Sequence, residues 1–172
     1  MKLQDYIEYF RVKAAKIALV SAQVDKQFRL YETDEMFLPD ISTFDLDLSE
    51  MCFLLGHYQF SIGGMTVRGN EPIAYQSSII LAKSVKINDW ESEVAAYAAA
   101  EELAKHLYNA CRRDACDNDF GYWFGKVKMS ERPWTVQKVK LAHDNTVGVE
   151  IRFQFTLNTN AHAHQTANPF LI

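Results

Sequence analysis

Apolar residues hold every odd position from Val147 to Leu157: Val147, Val149, Ile151, Phe153, Phe155 and Leu157. Gly148, Glu150, Arg152, Gln154 and Thr156 stand between them. A period of two predicts a β-strand with one dry face and one wet face. At ~3.3 Å per residue it spans roughly 36 Å, about twice a typical strand. The N-terminal pattern differs. Leu3, Ile7, Phe10, Ala14, Ile17, Ser21, Val24 and Phe28 follow steps of four and three, with neither Gly nor Pro among them, which predicts an amphipathic helix over residues 2–30. A coiled-coil helix is the sharper alternative, but Ala14 and Ser21 would make a weak seam.

Residues 31–50 are acidic and interrupted by Pro39, and read as an irregular connection. Residues 51–67 predict a strand with a bulge or bend at Gly63 and Gly64. Gly69 and Asn70 signal a turn. Residues 73–87 return as the partner strand, completing a long hairpin with a polar tip. Asn88 and Glu91 have the spacing of a capping box and open a helix over 88–117. Its expected apolar stripe is Trp90, Val94, Tyr97, Ala104, Leu107 and Cys111, and the Ala-rich run 95–100 strengthens the helix. Residues 122–129 and 134–143 predict two further strands, joined by a turn at 130–133. In the second, Trp134 and Val136 are even but Val139 and Leu141 odd, a slip that a bulge would explain. Residues 158–172 form a tail, polar and then apolar. The fold class expected is α+β: a mainly antiparallel sheet with a long hairpin, packed by two long helices, in one domain spanning residues 1–172.

Composition narrows the chemistry. The 172 residues are 48% hydrophobic and 23% charged, enough for one sizeable core. Aromatics reach 13%, which favours a sheet-rich core or aromatic contact surfaces. The net charge of −4 argues against a general nucleic-acid binder. Lys126, Lys128, Lys138 and Lys140 have strand spacing and fit a solvated sheet edge better than a phosphate-binding stripe. The N-terminus lacks the pattern of a secretory signal, and no apolar run has the length of a membrane span. The expectation is a chain made in the cytoplasm, without membrane contact. Cys52, Cys111 and Cys116 do not suggest a disulfide framework, and Cys111 and Cys116 lie about 140° apart around a helix.

Catalytic candidates are sparse. His162 and His164 have no further metal ligands nearby. His143 and Asp144 could belong to a triad, but no nucleophile elbow accompanies them. Cys52 lies in an apolar run that keeps a thiol protonated. Glu32, Asp34, Glu35, Asp45 and Asp47 could supply an acid–base pair, yet fit a solvated acidic loop better and lack the EF-hand pattern. Ile62-Gly63-Gly64-Met65 is not a phosphate loop. The expectation is no enzyme, no cofactor and no metal; a small enzyme using His143 or the acidic segment is an alternative.

Three stretches carry a family resemblance: Ser77-Ser78-Ile79-Ile80-Leu81-Ala82-Lys83 leading to the helix from Asp89, Arg113-Asp114 near that helix's end, and Val147 to Phe155. With the order of elements, they resemble the small α/β neck proteins of tailed bacteriophages, the tail terminator first and other head–tail connector proteins next. The resemblance covers most of the chain in layout and rests on no invariant motif. It implies a structural virion protein forming a ring, commonly a hexamer, in the neck or at the end of the tail tube. Such rings stop tube growth, join capsid to tail between connector and tail-tube proteins, and surround the channel through which DNA passes without specific binding. No active site carries over. The residues expected at subunit interfaces are Arg68, Gly69, Asn70 and Glu71 in the hairpin tip and Phe170, Leu171 and Ile172 in the tail. Glu150, Arg152 and Gln154 are expected to line the lumen or meet a neighbour, or else to form an ordinary solvated sheet face. The long N-terminal helix and acidic connection depart from the family layout. A cytoplasmic α+β binding module is the alternative from another class.

Overall fold

The computed structural model describes residues 3–16, 24–32, 45–62, 72–117, 127–129, 134–141 and 145–158. Two strands of 13 residues form its spine, β4 (Pro72–Ser84) and β7 (Thr146–Asn158). They pair antiparallel in unbroken register from Pro72↔Asn158 to Ser84↔Thr146. Shorter strands flank them: β1 (Phe28–Tyr31), β2 (Cys52–Gly56) and β3 (Gln59–Ile62) on one side, β5 (Val127–Met129) and β6 (Thr135–Lys140) on the other. One end of the sheet runs β1-β2-β4-β7-β6 and the other β3-β4-β7-β5. All pairs are antiparallel except β1–β2, so the sheet is mixed. Among the described residues, no helix is long and apolar enough to cross a membrane.

The alternation along β4 and β7 sorts side chains between two unlike faces. On one face lie Tyr75, Ile79, Leu81, Val149, Ile151, Phe153 and Phe155, joined by Phe53 and Leu55. Helices α1 (Leu3–Lys16) and α3 (Trp90–Asp117) both pack here, through Tyr6, Tyr9, Phe10 and Ala14 from the first and Ala100, Leu103, Ala104, Leu107 and Cys111 from the second. On the other face Leu54, Ile80, Ala82, Val139 and Leu141 form a smaller cluster, covered by Leu46 and Leu48.

Several elements depart from the sequence-based expectation. The helix expected over residues 2–30 does not reach residue 30: α1 covers Leu3–Lys16, residues 17–23 lie outside the described residues, and a four-residue helix, α2 (Val24–Gln27), leads directly into β1. Phe28 falls in the helical stripe, but the aromatic-rich Phe-Arg-Leu-Tyr segment finds a free parallel edge on β2, and strand pairing overrides the local pattern. The buried stripe of α1 is Tyr6, Tyr9, Phe10, Lys13 and Ala14, whereas Leu3 is exposed. The stripe is rotated because tyrosines, whose hydroxyls can be satisfied, bury more surface than Leu3.

The helix cap also shifts by one residue. Asp89, not Asn88, accepts from the Ser92 backbone N–H at 3.1 Å. Asn88 instead takes a left-handed conformation with φ 59°, which asparagine tolerates. On α3, Ala104, Leu107 and Cys111 are buried as expected, but Trp90 and Val94 point to solvent.

The β6 slip needs no bulge, because Thr135–Lys140 pairs continuously with β7. Val136 stands opposite Ile151 on the helix-covered face, and Val139 opposite Gly148 on the other. An edge strand of a sheet covered on both faces carries apolar residues on both. A bulge does occur elsewhere. Between Leu55↔Ile79 and Gln59↔Gln76, residues 56–58 stand opposite Ser77 and Ser78. The extra residue turns the odd phase of Phe53 and Leu55 into the even phase of Phe60, which pairs with Tyr75. The carbonyl of Gly56, lost from the ladder there, accepts from the Tyr6 hydroxyl at 3.0 Å and from Ser77 Oγ at 2.8 Å. Gly63, Gly64 and the hairpin tip lie outside the described residues.

Candidate interaction surfaces and buried polar clusters

A chain of aromatic rings crosses the helix-covered face from one edge of the sheet to the other. Phe60 on β3 meets Tyr75 at 6.0 Å between centroids. Tyr75 stacks on Phe155 at 5.2 Å with 7° between planes, and Phe155 meets Phe153 at 6.3 Å. Phe153 stacks on Trp134 at 4.9 Å, and Trp134 meets Tyr108 of α3 edge-on at 5.4 Å. Each step falls in the range where aromatic pairs add about 0.5–1.5 kcal/mol beyond burial. The register produces this row: Phe60, Tyr75 and Phe155 occupy one rung across three strands.

Both ends of the row reach solvent. Phe60 is 60% exposed on β3, an edge strand among the described strands. At the opposite edge a groove of about 500 Å³ opens between α3 and β6, lined by Glu101, Ala104, Lys105, Tyr108, Asn109, Trp134 and Val136. Val136 is half-exposed there. Lys138 spans the groove's upper rim, 3.8 Å from Glu101 and 5.1 Å from the centre of the Tyr97 ring. Further toward the start of α3, Ile87, Trp90 and Val94 are exposed, Trp90 at 70%. Large apolar side chains gathered on one flank mark a contact surface.

Two polar clusters lie inside. Lys13 of α1 pairs with Asp114 of α3, and Asp114 also accepts from the Tyr9 hydroxyl at 2.7 Å. The cluster clamps the two helices together. Burial pushes the Tyr9 phenol far above its ordinary range, with Cys111 and Asp114 beside it adding to the shift. On the other face, Arg152 grips Glu150 with two bonds, Nε to Oε1 at 3.0 Å and a terminal guanidinium nitrogen to Oε2 at 3.1 Å. Gln137 donates to the same carboxylate. Tyr31 and Ser78 hydroxyls meet 2.6 Å apart nearby, and burial pushes the Tyr31 phenol up to about 12.

The residues singled out in the sequence fall into three groups. Glu150 is buried beneath Arg152, so only the more exposed Arg152 and the half-buried Gln154 present themselves at the surface of the single chain. Cys52 is buried, and burial pushes its thiol up to about 12, as its apolar run implied. Glu32 and Asp45 are exposed, as is Asp47, whose carboxyl is held low by hydrogen bonds from Ser49. Lys138 and Lys140 are exposed on β6, an edge strand among the described strands. Arg68, Gly69, Asn70, Glu71, Phe170, Leu171, Ile172, His143, Asp144, His162, His164, Asp34, Glu35 and Lys126 lie outside the described residues. Among the described residues, no group of three or more His, Cys, Asp or Glu side chains could hold a metal ion.

Sequence reasoning missed Phe60, Tyr108, Trp134 and Val136 as a surface, and assigned Trp90 and Val94 to the core. A usable signal was present: Tyr58 and Phe60 are out of phase with Phe53 and Leu55, so the run needs a bulge to keep all four on one face. The sequence matches no protein-family model, and no curated protein matches it significantly.

Proposed function

We propose that the chain is a structural virion protein of a tailed bacteriophage, forming a ring in the neck or at the end of the tail tube that joins the capsid connector to the tail and surrounds the DNA channel. One observation supports this reading most: the described strands end in two chemically unlike flanks, a projecting Phe60 on one and an aromatic groove on the other. A surface that differs from its opposite flank favours head-to-tail association, which closes into a ring when the rotation per subunit allows it. The long hairpin expected over 51–87, with Arg68, Gly69, Asn70 and Glu71 at its tip, would extend this contact by adding to a neighbour's sheet. Phe170, Leu171 and Ile172 would supply further apolar contact. Arg152 and Gln154, with Glu150 holding Arg152 in place, would form the polar surface toward the lumen.

Native mass measurement and negative-stain imaging test the reading. A closed oligomer with a central opening is expected, and its addition should stop elongation of tail-tube protein. A chain that stays monomeric at high concentration, with residues 60–75 remaining open to protease, would overturn it. The groove favours a second reading, a monomeric α+β module that binds a partner segment between α3 and β6. A stable monomer that still protects the Trp134 environment on binding a partner would favour that one.

A further inference from the structure

The exposed ring of Phe60 and the groove beside Tyr108 sit on opposite flanks of the sheet but on the same face. Phe60 pairs with Tyr75, and Val136 with Ile151; Tyr75 and Ile151 both point toward the helices. Two copies placed flank to flank with their sheets continuous therefore bring Phe60 of one onto the helix-covered face of the next, where the groove opens. Phe60 lies on the rung of Tyr75 and Val136 on that of Ile79, so the neighbouring sheet joins with a four-residue offset along the strands.

We propose that this is the subunit contact: Phe60 of one copy enters the α3–β6 groove of the neighbouring copy and stacks against its Tyr108 and Trp134. The inference rests on the ring reading above and names the residues that would carry it.

Three features support it. The groove, about 500 Å³, has ample room for one phenylalanine side chain. The aromatic row inside each subunit has steps of 4.9–6.3 Å, and an inserted Phe60 would continue it into the next subunit without a gap. The charges around the two surfaces also match. Asp5 lies near Tyr58, whose phenol it helps to push up, on the Phe60 side. Lys105 lines the groove and is the cation set against Asp5; Lys138 at the rim is balanced by Glu101, which also lines the groove. Opposite charges flanking an apolar contact fix its register and speed encounter more than they add affinity. A buried aromatic anchor in a desolvated pocket is the usual source of most binding energy.

Cysteine pairing tests the contact. In the full chain with Cys116→Ser, and with Cys52 and Cys111 buried, Phe60→Cys and Val136→Cys are introduced singly and together. Mild oxidation of the double variant should give a covalent ladder extending past the dimer on a denaturing gel. Each single variant should stop at a dimer at most. In parallel, Phe60→Asp should raise the concentration for half-assembly by about 10-fold or more. Its circular dichroism should match the parent's and its melting should fall only slightly, through the lost Tyr75 contact, because the ring is mostly exposed. Asp5→Lys and Lys105→Glu should each weaken assembly, and together restore part of it. If the parent chain assembles, but no ladder forms and Phe60→Asp assembles normally, this contact is wrong and the ring reading stands. If the parent chain never assembles, the ring reading fails and takes the contact with it.

Discussion

On the helix-covered face, β4 and β7 meet through Tyr75, Ile79, Leu81, Val149, Ile151, Phe153 and Phe155, under Phe10 and Leu107. On the opposite face, the same two strands bring together Ser78, Ile80, Ala82, Gly148 and Glu150. The first face is held by bulk. Its rings and aliphatic groups fill the space beneath two helices, and each fully buried large side chain contributes about 1.5–3 kcal/mol. The second face is held by fit. Gly148 lets β7 approach β4 so closely that a Cβ there would collide with the Leu81 carbonyl oxygen and lie 2.7 Å from Ala82 Cα. Tyr31 pairs with Ser78, and Glu150 with Arg152 and Gln137, while the buried Thr146 hydroxyl finds no partner among the described residues. Volume matters on one side of the sheet and geometry on the other, although both are written into the same two strands.

Alkali should break both faces together, with the largest effect. Cys111 on the helix-covered face and Cys52 and Tyr31 on the other are pushed up to about 12 by burial, from ordinary values of 9.0 for the thiols and 10.0 for the phenol. The folded chain favours their neutral forms, so their contribution is complete below about pH 9. It declines as pH rises and is lost through pH 12. Denaturant midpoints across this window should fall together by near- and far-ultraviolet circular dichroism. Loss of one signal well before the other would mean that the faces unfold separately.

Phe10→Ala should come next, costing about 3–5 kcal/mol by chemical denaturation. Phe10 is fully buried and touches Tyr6, Tyr9, Phe53 and Phe153, so its removal leaves a cavity in the middle of the aromatic core. A cost below ~1 kcal/mol would show that the helix-covered face can collapse around the loss. Gly148→Ala should cost about 1–3 kcal/mol although it adds only one carbon, because the two backbones must separate. A neutral result would remove the claim that fit governs the second face. Ser78→Ala should have the smallest effect, about 1 kcal/mol, by leaving the buried Tyr31 hydroxyl without its partner. The double change Ser78→Ala with Tyr31→Phe should recover most of that cost, and a thermodynamic cycle over the four proteins reads the coupling directly.

Much of the sheet was legible. The odd-position run from Val147 to Leu157 predicts β7 within one residue at each end, and the antiparallel return of 73–87 anticipates β4. Both strands are buried on a strongly apolar face, so period two is enforced along their length. Phe28–Tyr31 was not legible as a strand, because its helical phase is broken only by the free edge of β2. The candidate contact surface was less visible. Trp90 and Val94 have helical spacing like that of core residues, and only the position of α3 against β7 decides that they face outward. Phe60 stays on the helix-covered face only because of the bulge at residues 56–58, where Tyr6 and Ser77 capture the Gly56 carbonyl.

By itself the sequence determined where the strands alternate, where α3 runs, and that the Cys52 thiol stays protonated, since each follows from local spacing or local apolarity. Only the tertiary structure decided which flank each aromatic reaches. It put Phe60 at one edge and the Tyr108–Trp134 groove at the other, and it enclosed Glu150 beneath Arg152. Such placements depend on contacts between residues distant in the chain, and a period read along one segment carries no record of the partner it will meet.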